Sequence, residues 1–139
     1  MSTVDVESAV RQHINAETTW VEGTNLFSGP VRPVREGVPV NAVFVLSTGG
    51  AQPEPYIGDP REVFEHAVQI RVRYADSDNY STGAAAARSL RDVMQSAGTI
   101  SGLFDVRVIN SSPTYLGLDD DSNAHEWSIN LLVTEIAEP

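Results

Sequence analysis

The stretch HAVQIRVRYADSDNYSTGAAAARSLRDVMQSAG, residues 66–98, contains a strand pattern followed by a helix pattern. From Val68 to Tyr74 apolar residues alternate with polar ones, and successive side chains of an extended chain point to opposite faces. Arg71 and Arg73 therefore fall on the face opposite the apolar one. The pattern predicts a β-strand with one apolar face and one basic face.

The second half of this stretch predicts an amphipathic helix. Asp78 or Asn79 can cap its N-terminus. The alanines from Ala84 to Ala87 have the highest helix propensity, and Gly98 fits a C-terminal stop. The predicted apolar face consists of Ala86, Leu90, Val93, Met94 and Ala97. Because Gly83 costs about 1 kcal/mol relative to alanine in a helix, we expect it to allow a close approach to a neighbouring element.

The remaining elements complete an α+β pattern. We predict an N-terminal helix from about Val4 to Asn15, capped by Ser2 or Thr3, a weak strand at Asn25–Phe27, a buried strand at Ala42–Leu46, and strands at Phe104–Val108 and Trp127–Val133. Strands and helices are mixed without a regular βαβ repeat. We therefore expect one domain over residues 1–139, with two helices packed on one face of a mostly antiparallel or mixed sheet of about four to five strands.

Composition excludes several classes of protein. Of the 139 residues, 41% are hydrophobic and none is cysteine, which excludes disulfides and cysteine catalysis. No apolar run reaches the roughly 20 residues of a membrane span, and the N-terminus lacks a signal-peptide pattern, so we expect synthesis in the cytoplasm. The net charge of −10 disfavours tight nucleic-acid binding but suits a duct through which DNA slides without sticking.

The segment PTYLGLDDDSNAHEWSINLLV, residues 113–133, holds the densest group of candidate ligands. Asp119, Asp120 and Asp121 are contiguous, whereas an EF-hand loop places its ligands at alternate positions. Adjacent side chains of an extended chain diverge, so the pattern favours an acidic hairpin or loop tip. Weak calcium or magnesium binding, or an acidic surface that acts through its field, remain alternatives.

No catalytic pattern is present in the sequence. His13, His66 and His125 lie on separate segments without an HxH or HExxH partner. The STGG motif at residues 47–50 lacks the rest of a phosphate-binding loop, and the chain contains no GxSxG. We expect neither enzymatic activity nor a cofactor.

Arg71, Arg73 and Arg107 can form a basic stripe on the polar face of the sheet. One reading is a solvated face on which they pair with Asp105 and Glu126. The other is contact with a neighbouring subunit, where arginine is favoured.

Two segments carry a resemblance to a known family. VQIRVRYADSDNYSTGAAAARSLRDVM at residues 68–94 and SSPTYLGLDDDSNAHEWSINLLV at residues 111–133 follow a strand that ends in GG and a YIGDP loop. This order resembles the tail terminator family of long-tailed bacteriophages, also classed as minor capsid or tail completion proteins. The likeness runs from about Val40 to Ile136.

The resemblance implies a structural virion protein at the neck end of the tail of a phage or phage-derived particle. Such proteins form a ring, usually a hexamer, that ends tube polymerisation and joins the tail to the head. The implied partners are further copies, the tail tube protein, a head–tail connector or stopper, and DNA that passes without specific binding. From charge and alternation we then predict Arg71, Arg73 and Arg107 at subunit interfaces and Asp119, Asp120 and Asp121 in or around the pore. The alternatives are a connector or stopper of the neck, or a metal-dependent α+β enzyme or binding module.

Overall fold

A computed structural model describes residues 5–32, 38–49, 54–55, 62–75, 80–100, 104–119 and 123–137. Its elements are α1 Val6–Glu17, β1 Leu26–Ser28, β2 Ala42–Gly49, β3 Glu54–Pro55, β4 Glu62–Ala75, α2 Tyr80–Gln95, β5 Thr99–Ile100, β6 Phe104–Val108, β7 Thr114–Asp119 and β8 Ala124–Ala137. No helix in this part of the chain is long and apolar enough to cross a membrane.

The strands form one mixed sheet in the order β1-β2-β4-β8-β6-β5. Its centre is the antiparallel pair of β4 and β8, which runs from Glu62 opposite Ala137 to Ala75 opposite Ala124. On the other side of β8, β6 pairs with its C-terminal half and β7 with its N-terminal half. β1 is parallel to β2, and β3 pairs with the start of β4. The α+β prediction is confirmed, with eight strands instead of four to five because β3, β5 and β7 were not predicted.

The predicted alternation in β4 positions the main core. Val68, Ile70 and Val72 are at most 2% exposed, and they face both helices. Trp127, Ile129, Leu131 and Val133 of β8 extend the same layer. Burying an apolar side chain of this size contributes roughly 1.5–3 kcal/mol, so the strand pair and its two helices stabilise one another.

Helix α2 approaches the sheet closely at Gly83, as the sequence predicts. A Cβ atom added there would lie 2.7 Å from Cη2 of Trp127 and 2.9 Å from Cβ of Tyr74. The buried face consists of Gly83, Ala84, Ala87, Leu90 and Met94. The predicted face is confirmed at Leu90 and Met94 and wrong at Ala86 and Val93, which are only partly buried, since the contact at Gly83 turns its own side of the helix toward the sheet. Ala97, which follows the helix, is partly buried and packs against the core.

Helix α1 begins at Val6 and is capped by Asp5, whose carboxylate accepts a hydrogen bond of 3.0 Å from the backbone N–H of Glu7. The predicted caps Ser2 and Thr3 lie outside the described residues, as do the predicted α2 caps Asp78 and Asn79. Asp5 is favoured because its carboxylate reaches a backbone donor of the first turn that otherwise has no partner in the helix.

The face of the sheet opposite the helices is partly covered. Phe27, Val38, Ala42 and Phe44 form a second, smaller core cluster there, with Val31 packed against it. The rings of Phe27 and Phe44 stack with centroids 5.8 Å apart. The segment around Val38 thus covers this face near β1 and β2.

Candidate functional site

The three predicted interface arginines lie on the same face of the sheet. Directly opposed residues in neighbouring strands share a face. Arg71, Arg73 and Arg107 oppose Ser128, Glu126 and Leu132 of β8, which alternate with the core residues of that strand. The sequence therefore places all three correctly on the face away from the helices.

Arg73 nevertheless differs from the other two because it is 1% exposed. Its guanidinium donates 2.9 Å hydrogen bonds to the carbonyl oxygens of Val40 and Pro39 and also bonds the carbonyl oxygen of Arg32. It lies 5.1 Å from the centroid of the Phe44 ring. Arg73 thus holds the covering segment onto the sheet, and it offers a neighbouring chain almost no surface.

Arg71 and Arg107 are more accessible. Nη1 of Arg71 lies 3.1 Å from Oε1 of Glu126, which is one of the ion pairs that the sequence suggests, and a third of its side chain is exposed. Such a pair contributes at most about 1 kcal/mol because solvent screens it. Arg107 is exposed and, within the described part of the chain, forms no ion pair, including the suggested one with Asp105.

The acidic stretch lies at a hairpin. Asp119 ends β7 opposite Ala124 at the start of β8, so residues 120–123 connect the two strands. Asp120 and Asp121 lie outside the described residues, so a role for the three aspartates at a pore stays a prediction. Among the described ranges, no group of three histidine or carboxylate side chains could hold a metal ion.

The three histidines have different neighbours. Nε2 of His66 lies 3.0 Å from Oε1 of Glu135, a carboxylate that is only 3% exposed. Nδ1 of His125 lies 2.8 Å from the hydroxyl oxygen of Tyr115. His13 lies in α1 at an open groove between the helices. They do not form the shared triad that a histidine metal site requires.

The groove between α1 and α2 has a volume of about 540 Å³. Its lining includes His13, Glu17, Ser89 and Asp92. A second hollow of about 330 Å³ shares Glu17, Ser89 and Val93 with it and extends to Trp20 and Tyr74. In the described residues, His13 forms no hydrogen bond with either carboxylate.

A row of exposed apolar side chains, which the sequence analysis missed, lies along β7. We call this row the apolar edge; it consists of Tyr80, Tyr115, Leu116 and Leu118, each between 42% and 46% exposed. The rings of Tyr80 and Tyr115 lie 5.3 Å apart. Ile109 is also exposed, at 61%, but it lies opposite Asn130 of β8, on the other face of the sheet from Tyr115, which lies opposite Trp127. The signal in the sequence is TYLGL at residues 114–118, whose apolar side chains do not alternate with polar ones.

The two tyrosine rings of the apolar edge pack on a buried tryptophan. Trp127, 3% exposed, packs its ring 5.5 Å from that of Tyr115 and 5.6 Å from that of Tyr80. β7 also contains a bulge between Tyr115 and Gly117, and Gly117 has a φ of 110°, a conformation that glycine adopts without strain. The bulge inserts Leu116 as an additional residue in the exposed row.

Comparison with known proteins gives one family and one fold. A family model described as bacteriophage tail terminator protein matches residues 35–134. No curated protein matches the chain. Among solved structures, the chain is similar to a protein chain in the virion of a native gene transfer agent particle, with a TM-score of 0.52, 14% identity and 95% of each chain covered.

Proposed function

This chain belongs to the bacteriophage tail terminator family, and we propose that it forms a ring, a hexamer, on the head-proximal end of a phage or phage-derived tail tube. It is a structural protein of the tail end of a virion. In our proposal the ring ends tube polymerisation and joins the tail to the connector or stopper of the head. The protein does this as one domain over residues 1–139 and without catalysis or a cofactor.

One observation carries this proposal: the family match covers residues 35–134, which include every strand from β2 to β7 and most of β8. The resemblance seen in the sequence, from about Val40 to Ile136, covers nearly the same residues. The fold likeness to a chain of a gene transfer agent virion extends over 95% of the chain and supports the same architecture.

The described architecture is suited to assembly. Two helices pack on one face of the sheet. On the other face the side chain of Arg71 is a third exposed and Arg107 is exposed, and we propose that both contact neighbouring subunits. Arg73, the third candidate of that set, would act indirectly by holding the segment around Val38 in place. Arginine suits such contacts because its planar guanidinium pairs well with carboxylates.

Charge supports the proposed passage of DNA. The chain carries 19 acidic and nine basic residues, so a pore that it lines repels phosphate and holds DNA weakly. We propose that Asp119, Asp120 and Asp121 lie in or around that pore. Replacing all three with asparagine should slow DNA release from assembled particles while leaving rings intact. Unchanged DNA release would contradict the proposal that these aspartates lie in or around the pore.

Tube polymerisation tests the function directly. Tail tube protein that polymerises with the purified chain should give shorter tubes that stop growing, each with the chain at one end. Tubes that grow unchanged, together with binding to isolated heads, would instead identify a connector or stopper. Binding to neither would contradict a role in the neck.

A further inference from the structure

We propose that the apolar edge of one copy docks on the opposite edge of the sheet in the next copy. This inference rests on the proposed ring and names the surfaces that close it. The first surface is the apolar edge along β7. The second, which we call the arginine edge, consists of Val21, Arg11 and Arg32 beside β1.

The apolar edge has the properties of a contact surface. Among the described residues it contains four of the six exposed large hydrophobic side chains, and contiguous exposed apolar surface marks sites of interaction. Of the described strands, β7 pairs with β8 alone, so one side of its backbone has no strand beside it. An uncovered edge with apolar side chains tends to associate with another chain.

This edge is also preformed. Trp127 supports the two tyrosines, and the Tyr115 hydroxyl is hydrogen-bonded to His125. Little side-chain freedom is left in these rings, which lowers the entropic cost of docking. Tyrosine is also enriched at interfaces because it combines a large apolar ring with a polar tip.

The arginine edge holds another exposed large hydrophobic, Val21, which is 48% exposed. Nε of Arg11 lies 2.6 Å from Oε1 of Glu22, so these two charges compensate each other. Arg32 is exposed and lies 5.1 Å from the centroid of the Phe27 ring. Among its described residues, the arginine edge therefore combines an exposed apolar side chain with one positive charge that no described carboxylate compensates, in a chain whose net charge is −10.

The positions of the two edges match what a ring needs. β1 lies at one end of the strand order, and β7 lies beyond β8 on the other side of the sheet. Contact between two different surfaces of identical subunits generates a ring when the rotation closes, whereas two apolar edges in contact would give only a closed dimer. The positive charge of Arg32 would there meet the surface of a chain whose net charge is −10.

The proposed contact at the apolar edge also lies near one of the three arginines that the sequence predicts at subunit interfaces. Arg107 lies on β6, which pairs with β8 on the same side as β7, so an interface at the apolar edge lies near Arg107. Arg71 lies on β4, one strand further from this edge, and is already paired with Glu126.

Thiol crosslinking can test the pairing because the chain has no native cysteine. The full-length double variant V21C/L116C is treated with a short bismaleimide, alone at high concentration and on tail tubes. Both positions are exposed, so the variant should fold, which its thermal midpoint checks. The matched control V21C/A85C moves one cysteine to the exposed side of α2, and the single variants V21C and L116C complete the set.

We expect a ladder of crosslinked species that ends at the closed ring for V21C/L116C, with roughly tenfold less product for every other variant. Dimers from L116C alone would overturn the proposal, since they place two apolar edges together. If V21C/L116C gives no more crosslinked product than V21C/A85C while light scattering still detects rings, the proposed contact between these two edges is wrong. The proposal that the protein forms a ring would then still stand. Absence of any assembly, free or on tubes, would refute the proposed function itself.

Discussion

Replacing Gly83 with alanine should destabilise the protein even though alanine is the better helix former. The substitution gains about 1 kcal/mol of helix propensity. Against this, the new Cβ would lie 2.7 Å and 2.9 Å from two ring carbons of Trp127 and 2.9 Å from Cβ of Tyr74. Carbon atoms pack at about 3.5–4.0 Å, so α2 must move away from the sheet.

The magnitude follows from these opposing effects. Overpacking of a core costs roughly 1–3 kcal/mol, and three simultaneous contacts below 3.0 Å put Gly83→Ala at the upper end. After the propensity gain we expect a net loss of about 2 kcal/mol in the free energy of unfolding. The thermal midpoint should fall by about 6 °C for a chain of this size.

Urea denaturation monitored by tryptophan fluorescence measures this change. The matched control is Ala85→Gly, at an exposed position of the same helix, which should lose about 1 kcal/mol through propensity alone. In a Trp127→Phe background the cost of Gly83→Ala should shrink, because the two ring carbons at the contact are removed. A Gly83→Ala protein more stable than the parent would refute the close approach of α2 to the sheet.

Three further results are expected from the structure. Arg73→Met should cost about 3 kcal/mol in urea denaturation, because it removes the three hydrogen bonds by which the buried guanidinium holds the covering segment, while Arg71→Met should cost less than about 1 kcal/mol. Equal effects would contradict the burial of Arg73. Asp5→Ala should lower stability by about 1 kcal/mol through loss of the α1 cap, and an unchanged midpoint would mean that the cap contributes nothing. Calcium, magnesium or manganese should leave the thermal midpoint unchanged, whereas a site at Asp119–Asp121 filled at 100 times its dissociation constant would add about 2.7 kcal/mol.

The sequence predicts the elements with regular periodicity. The alternation around Ile70 and the alanine-rich run of α2 are strong local signals, and both elements lie where the patterns place them. The full length of β4 and β8, 14 residues each, could not be predicted from the sequence. Apolar and polar residues do not alternate regularly at the outer ends of these strands. β7 was missed for a related reason: its apolar residues are exposed, while the patterns used for strands assume that apolar residues are buried.

The candidate site was predicted only in part. Alternation correctly put Arg71, Arg73 and Arg107 on one face, since side-chain direction in a strand follows from position alone. It could not predict that Arg73 is buried, because the residues that cover it come from a segment more than 30 positions earlier in the chain. The apolar edge likewise depends on the packing of Tyr80 against β7, a contact between residues far apart in sequence.

The most direct test of the account is the size and shape of the purified protein, alone and with tail tubes, by light scattering and electron microscopy. We predict a closed ring, free in solution or formed at one end of each tube, with tubes that no longer elongate. A protein that stays monomeric in the presence of tubes and leaves both tube ends bare would contradict the proposal that it terminates the tail.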